Sequence, residues 1–308
     1  MTILNEYPLV SIITVNYDHP EVTCQMLDSM RKITYPNIEI IVVDNASPND
    51  DPSIIPKNYP EVQFFQLDKN LGFAGGNNFG IHKAKGDYFL LLNNDTEVMP
   101  DFLKPLVTKF QEDPTVGAVS PKIRFHHTPD MIQFAGITPI HLLTMRSKGL
   151  GYGQTDIGQF ENDTITAYAH GAAMMVSRKA AENVGLMSEV YFLYYEELDW
   201  GYRITNAGYK IYYVHNSLIY HKESISTGKQ SPTKIYYMNR ARLIYLRRNV
   251  KGIKLFLAIL YQLLIAIPKN ASMFIIKGRF DLASAYHKAV IWILKNFYQS
   301  ELFENPKL

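Results

Sequence analysis

Val10-Ser11-Ile12-Ile13-Thr14-Val15-Asn16-Tyr17-Asp18 begins as an apolar, β-branched run and ends in three polar residues. Residues 10–15 have the composition of a buried strand, and residues 16–18 have that of a loop. The same arrangement returns three times. Residues 38–43 lead into Asp44-Asn45-Ala46-Ser47, and residues 62–66 lead into a loop from Asp68 to Asn77 that carries Gly72, Gly75 and Gly76. Residues 88–92 lead into Asn93-Asn94-Asp95-Thr96. Helical patterns over residues 22–31 and 77–83 lie between these runs. Such β-α-β alternation predicts an α/β fold, a mostly parallel sheet flanked by helices. Ligands in these sheets bind beyond the carboxyl ends of the strands, so the four polar loops are predicted to share one functional edge.

Beyond residue 116 the pattern loosens. Residues 117–170 are richer in Gly, Pro, Thr and His without clear periodicity, and read as an irregular half shaping a second pocket. Residues 173–176 and 211–214 read as further strands. From residue 236 the chain becomes helical and basic. The expected organisation is one unit over 1–235, with halves of about 1–116 and 117–235, followed by a helical region over 236–308.

The chain has 308 residues, 47% hydrophobic and 19% charged, which indicates a folded globular protein. Cys24 is the only cysteine, so no internal disulfide forms and a cytoplasmic setting is expected. Residues 1–8 lack a basic start followed by an apolar core, so no secretory signal is expected. Net charge is +2 but uneven, because residues 240–288 hold ten positive charges against one negative. Within them, residues 253–267 are apolar except for Lys254 and Gln262, a run shorter than the ~20 residues that span a bilayer. Basic residues around an apolar helix suit contact with an anionic membrane surface, whereas an ordinary buried helix with a basic rim is the plainer reading. No feature points to nucleic acid, and the oligomeric state is open.

The run Phe192-Leu193-Tyr194-Tyr195-Glu196-Glu197-Leu198-Asp199-Trp200-Gly201-Tyr202-Arg203 sets three carboxylates among aromatics. On a helix, Glu196, Asp199 and Arg203 share one face. Glu197 falls on the stripe of Trp200 and Ile204. A carboxylate on an apolar stripe costs several kcal/mol, on the order of what an unpaired buried polar group costs, unless it is paired or has a task.

Other signals are individually modest. Asp44 at a strand end suits a hydrogen bond from a ribose hydroxyl or a base imide, although capping the next turn is the ordinary role. The glycine cluster permits close backbone approach to a ligand, but it matches neither a dinucleotide fingerprint nor a P-loop. One carboxylate among amides at Asn93-Asn94-Asp95 is a thin cage for Ca²⁺. It suits Mg²⁺ or Mn²⁺ taking further oxygens from a diphosphate. Either His215 or His221 could complete a site with Asp95.

In this order and spacing the motifs resemble a GT-A-fold (Rossmann-like) inverting glycosyltransferase of family two, within its rhamnosyltransferase-like branch. The likeness covers residues 8–248, and includes His170-Gly171-Ala172-Ala173-Met174. It implies a nucleotide-sugar half followed by an acceptor half. Asn16, Tyr17, Asp44 and Asn45 would hold uridine or thymidine, while Asn70, Gly72, Asn77, Asn93 and Asn94 would line the nucleoside and donor sugar. Asp95 matches the second acid of the family's DxD element and would bind the metal, with Asn93 standing at the first. His221 matches a metal-side histidine. Glu197 occupies the position of the catalytic base, with Glu196 as the alternative. His170, Gly171, Asp199, Trp200 and Arg203 would stand on the acceptor side or support it.

The resemblance thus implies rhamnose transfer from dTDP-rhamnose to a surface polysaccharide or lipid-linked glycan at the inner face of the plasma membrane. A UDP-hexose or UDP-galactofuranose donor is the alternative, as is a non-catalytic glycan- or nucleotide-binding module. A nicotinamide-dependent enzyme is disfavoured by the absent glycine fingerprint.

Overall fold

The computed structural model describes residues 6–222, 231–299 and 304–308. Four strands, β1 (Val10–Asn16), β2 (Ile38–Asp44), β3 (Gln63–Gln66) and β4 (Tyr88–Leu92), pair in parallel in the order β3-β2-β1-β4. Helices α1 (Pro20–Met30), α2 (Ile54–Asn58) and α3 (Gly72–Lys83) connect them. β-Branched residues dominate β1 and β2 because both faces of a parallel sheet are covered. The register pairs Asn16 with Asp44, so the loops after β1 and β2 leave the sheet side by side.

The other half begins as sheet, where irregular structure is expected over residues 117–170, and residues 135–163 are irregular apart from isolated bridges. After β5 (Thr96–Val98) and α4 (Leu103–Glu112), the chain forms β6 (Val116–Phe125), β7 (Thr128–Phe134) and the short β8 (Thr164–Ile165). β6 is buried over its first eight residues and carries Pro121, which hides the two-residue alternation expected of a strand. β9 (Ala173–Ser177) lies antiparallel between β4 and β6, and β10 (Lys210–His221) runs parallel to β6. The full order is β3-β2-β1-β4-β9-β6-β10-β5. β10 extends seven residues past the expected end at 214, through a register shift between Val214 and Leu218. His215 and His221 therefore lie within a strand, not beyond one.

Helix α3 begins five residues earlier than expected and takes in the whole glycine cluster. Its glycines set it close to β1: a Cβ on Gly80 would lie 2.4 Å from Ile13, and one on Gly76 3.0 Å from Val15. Within the cluster, Gly76 thus serves close helix–sheet packing, whereas a Cβ on Gly72 or Gly75 would meet Phe192 or Leu71.

Helices α5 (Arg178–Val184) and α6 (Glu196–Asn206) cover the same sheet face as α3, with Trp200 and Ile204 fully buried beneath α6. The C-terminal helices are α7 (Pro232–Asn249), α8 (Gly252–Tyr261), α9 (Ile267–Ile276) and α10 (Phe280–Asn296). Residue 235 lies in the first turn of α7. A third apolar cluster spans this position, joining Tyr168, Tyr191 and Tyr195 to Ala241, Ile244 and Tyr245. A π-helical turn at Gln262–Ala266 joins α8 to α9, giving a helix of 25 residues (Gly252–Ile276), which is long and apolar enough to cross a membrane by length and composition. It outruns the fifteen-residue apolar stretch of the sequence because Pro268 falls inside it without stopping it.

Candidate active site

The antiparallel pairing of β10 with β5 sets His221 opposite Thr96, next in sequence to Asp95. His221 Nε2 lies 3.0 Å from Asp95 Oδ1. The two atoms converge without hydrogen-bond geometry, and Asp95 Oδ1 is buried with no hydrogen-bond partner. His221 Nδ1 lies 2.9 Å from Gln133 Oε1 on β7. A histidine that donates Nδ1–H to Gln133 presents its Nε2 lone pair to the Asp95 carboxylate. Two acceptors at that distance suit a shared cation, and an outer hydrogen bond of this kind commonly orients a ligating imidazole. The donor set, one carboxylate oxygen and one imidazole, fits Mg²⁺ or Mn²⁺ completing its coordination with water and phosphate oxygens. His215 is excluded from this pair, since its Nδ1 faces Asp163 Oδ1 at 2.8 Å. Among the described residues, the one cluster of three ligating side chains is His19, Glu21 and Asp50, mostly exposed beside the loop after β1.

One cavity of about 390 Å³ gathers Asn93, His170, Gly171, Glu196, Glu197 and His221, with Phe73 and Phe134 in its apolar wall. Its floor is the meeting of β4 and β9, where the Asn93 amide donates to the Ala172 carbonyl (3.0 Å). Burial, then the proximity of His221, lowers His170 to a pKa of about 3, so its imidazole is neutral. His170 Nδ1 accepts from the Ala172 amide (3.1 Å), which leaves Nε2–H as a donor. A Cβ on Gly171 would touch the Glu197 carboxyl at 3.6 Å, so glycine keeps the face of that acid clear.

Glu196 and Glu197 open α6 and both border the cavity, while Trp200 and Ile204 are fully buried in the core. Glu196 is the more deeply covered acid, 3% exposed, and its Oε2 has no hydrogen-bond partner. Burial, then the neighbouring Glu197, pushes Glu196 well above the usual carboxylate range. Burial also raises Glu197, opposed by the amides of Glu197 and Leu198 at the helix N-terminus. Burial thus raises both acids of the pair. The preceding loop is strained to make this turn, with Phe192, Tyr194 and Tyr195 all at φ between 66° and 72°. Arg240 of α7 holds it by donating to the Val190 and Tyr191 carbonyls. Phe192 itself covers Gly72, where a Cβ would meet its carbonyl oxygen at 2.2 Å.

Asp199, Trp200 and Arg203 lie outside the cavity. Trp200 Nε1 donates to the Gly185 carbonyl (2.8 Å). Asp199 is fully buried and binds Arg203 (3.0 Å), Arg248 (2.9 Å) and Asn249 (2.7 Å), which ties α6 to α7.

The loops after β1 and β2 form a closed network. Asn16 Nδ2 donates to Asp44 Oδ1 (2.8 Å), and Ser47 donates to the same oxygen through Oγ (2.5 Å) and to Oδ2 through its amide (3.2 Å). Asp44 is fully buried and already engaged, and Tyr17 is the exposed member of the group. Asn45 donates to Asn70 Oδ1 and the Gly72 carbonyl and accepts from the Leu71 amide, bracketing the third loop. Asn77 is buried and donates to the Phe73 carbonyl. Thr23 donates to Asn16 and accepts from Asn94, linking the first loop to the fourth. Thr23, Ser47 and Arg240 join the site without standing out in the sequence, whereas Gln133 carries a visible signal, a lone amide between Ile132 and Phe134.

A mannosyltransferase of Pyrobaculum calidifontis, solved with GDP-Man and Mn²⁺, superposes with a TM-score of 0.57 at 17% identity over 95% of this chain and 88% of that one. GalNAc-T7, solved with UDP, GalNAc and Mn²⁺, gives a TM-score of 0.63 at 18% identity over 79% and 48%. An N-acetylglucosaminyl-diphospho-decaprenol L-rhamnosyltransferase of Mycobacterium tuberculosis is 24% identical over 79% of this chain and 86% of its own length. A low-salt glycan biosynthesis hexosyltransferase of Haloferax volcanii is 26% identical over 66% of this chain, which spans 63% of that protein. Residues 11–185 match the model of glycosyl transferase family 2, and the chain belongs to that family.

Proposed function

We propose that this protein is a metal-dependent inverting glycosyltransferase that moves a hexose, rhamnose from dTDP-rhamnose being the favoured donor, onto a polysaccharide or lipid-linked glycan. The carrying observation is the single cavity holding Asn93, His170, Glu196, Glu197 and His221 beside an unsatisfied Asp95 oxygen. Glu197 takes the proton from an acceptor hydroxyl as that oxygen bonds to the anomeric carbon. The bond from that carbon to the diphosphate breaks on the opposite face, and the electron pair leaves with the nucleotide. Asp95 and His221 would hold the divalent ion, which when bound neutralises charge growing on the diphosphate. Glu196, kept protonated, limits repulsion beside Glu197, and His170 offers Nε2–H to the sugars. Tyr17, Asp44, Asn45, Asn70 and Asn77 form the nucleoside side. The diphospho-decaprenol acceptor in the mycobacterial relative's name agrees with this reading, as do the nucleotides and Mn²⁺ bound in the two solved structures. A UDP-hexose or UDP-galactofuranose donor is the alternative within the same chemistry.

The chain acts at the cytoplasmic membrane face. Ile253, Phe256, Leu264 and Ile276 of the long C-terminal helix are 60% or more exposed, and Lys251, Lys254, Lys269 and Lys277 accompany them. Gln262, at the middle of this helix, donates to the Leu143 carbonyl of the catalytic unit (2.7 Å). A helix anchored there lies along the bilayer surface, since crossing it would carry residue 143 into lipid.

The deciding experiment is thermal melting with dTDP, UDP or GDP, with and without Mn²⁺ or Mg²⁺. Stabilisation by dTDP or UDP that requires the metal is expected, and no shift with any nucleotide would sink the reading.

A further inference from the structure

We propose that a second cleft, where α6, α7 and α8 meet, is an anion site for the phosphate headgroup of a membrane lipid. Its volume is about 600 Å³, and Arg203, Arg247, Arg248, Lys251 and Lys254 line it with no acidic side chain among the described residues of its walls. Asp199 pairs with Arg203 and Arg248. The anion-binding charge is therefore assigned to the two lysines.

Lys251 and Lys254 are exposed at its mouth, on the first turn of α8. No side chain caps that turn, so its backbone N–H groups face the same region as the lysines. Amide and ammonium donors together recognise phosphate oxygens. Directly beyond the lysines, Ile253, Phe256 and Leu257 are exposed on the same helix. Cations beside an outward apolar face match a phosphate headgroup beside acyl chains, an arrangement that a soluble metabolite would not need.

The cleft also lies in reach of the chemistry. Six residues of α6 separate Glu197 from Arg203, about 9 Å along the helix axis. An acceptor whose phosphate rests in the cleft would lead its sugar toward Glu197. That link rests on the transferase reading above, whereas the anion site stands on the cleft alone.

The test uses the full chain and vesicles of phosphatidylcholine with or without about 30 mol % phosphatidic acid, with cosedimentation as the readout. Lys251→Gln with Lys254→Gln should weaken binding to the acidic vesicles about tenfold. The charge-matched control, Lys57→Gln with Lys104→Gln, both exposed on α2 and α4, should weaken it less than about twofold. A parallel arm adds inorganic pyrophosphate with EDTA and follows melting. A shift lost in the cleft variant assigns the site to free phosphate as well, and vesicle binding without such a shift assigns it to lipid. Equal weakening in both double variants, or equal binding to neutral vesicles, overturns the anion site. A chain that passes here and fails with nucleotide and metal keeps the cleft and loses the transferase reading, and the reverse result loses only the cleft.

Discussion

Two groups of buried acids sit one turn apart on α6 and have opposite electrostatics. Glu196 and Glu197 face a cavity, form no ion pair among the described residues, and are raised by burial, which the Arg240 guanidinium only partly offsets at Glu196. Asp199 is more deeply buried than either, yet the Arg203 and Arg248 guanidiniums beside it hold it below the usual carboxylate range. Burial alone therefore does not mark the reactive acid. What separates them is whether the protein supplies a partner. A fully paired carboxylate is a strut, while an unpaired one at a cavity wall stores free energy that substrate can use.

The largest test of this contrast removes the charge at the cavity. Glu197→Gln should lower transfer about 10²–10⁴-fold with nucleotide affinity little changed, measured by single-turnover kinetics. In the wild type, transfer should fall as pH drops through the raised value of Glu197, above the range of an ordinary glutamate. Retained turnover in the variant would move the base elsewhere. Asp199→Ala should instead cost about 3–5 kcal/mol in denaturant unfolding, because two arginines lose their partner. Its contribution is present above the ordinary aspartate pKa and is lost as pH falls through the lowered folded value. Gln133→Leu frees His221 Nδ1, and should weaken metal-dependent stabilisation by nucleotide about 10–100-fold. The smallest effect belongs to Glu196→Gln. Glu196 keeps its proton longer folded than unfolded, so wild-type stability declines as pH rises between those two values. The amide should flatten that decline, and an unchanged slope would show that Glu196 is not held protonated.

The parallel half of the fold was legible because each strand there is a short β-branched run closed by polar loop residues. β6 was not, since burial on both faces erases alternation, and of β10 only residues 211–214 stood out, a bulge carrying the strand on to His221. The cavity acids were visible in sequence as residues out of place, but their division into reactive and structural was not. That division depends on Arg248 from α7, 49 residues away in the chain. His215 and His221 were equivalent by residue type, with only the family likeness favouring His221, whereas register sets His221 beside Asp95 and His215 beside Asp163. Asp44 shows the reverse limit: a position that stands out as a motif has its side chain engaged by Asn16 and Ser47, which the sequence does not reveal.

Arg240 and Arg248 both stand on α7, one gripping the loop before α6 and the other gripping α6 itself. The amides of residues 190–206 and those of α7 should therefore exchange hydrogen with a common opening free energy, as one cooperative unit. The C-terminal helices are then not an appendage that evolution could add or delete at will. Losing them would melt the segment that carries the acids, so selection on the outer helices and selection on the chemistry act on a single folding equilibrium.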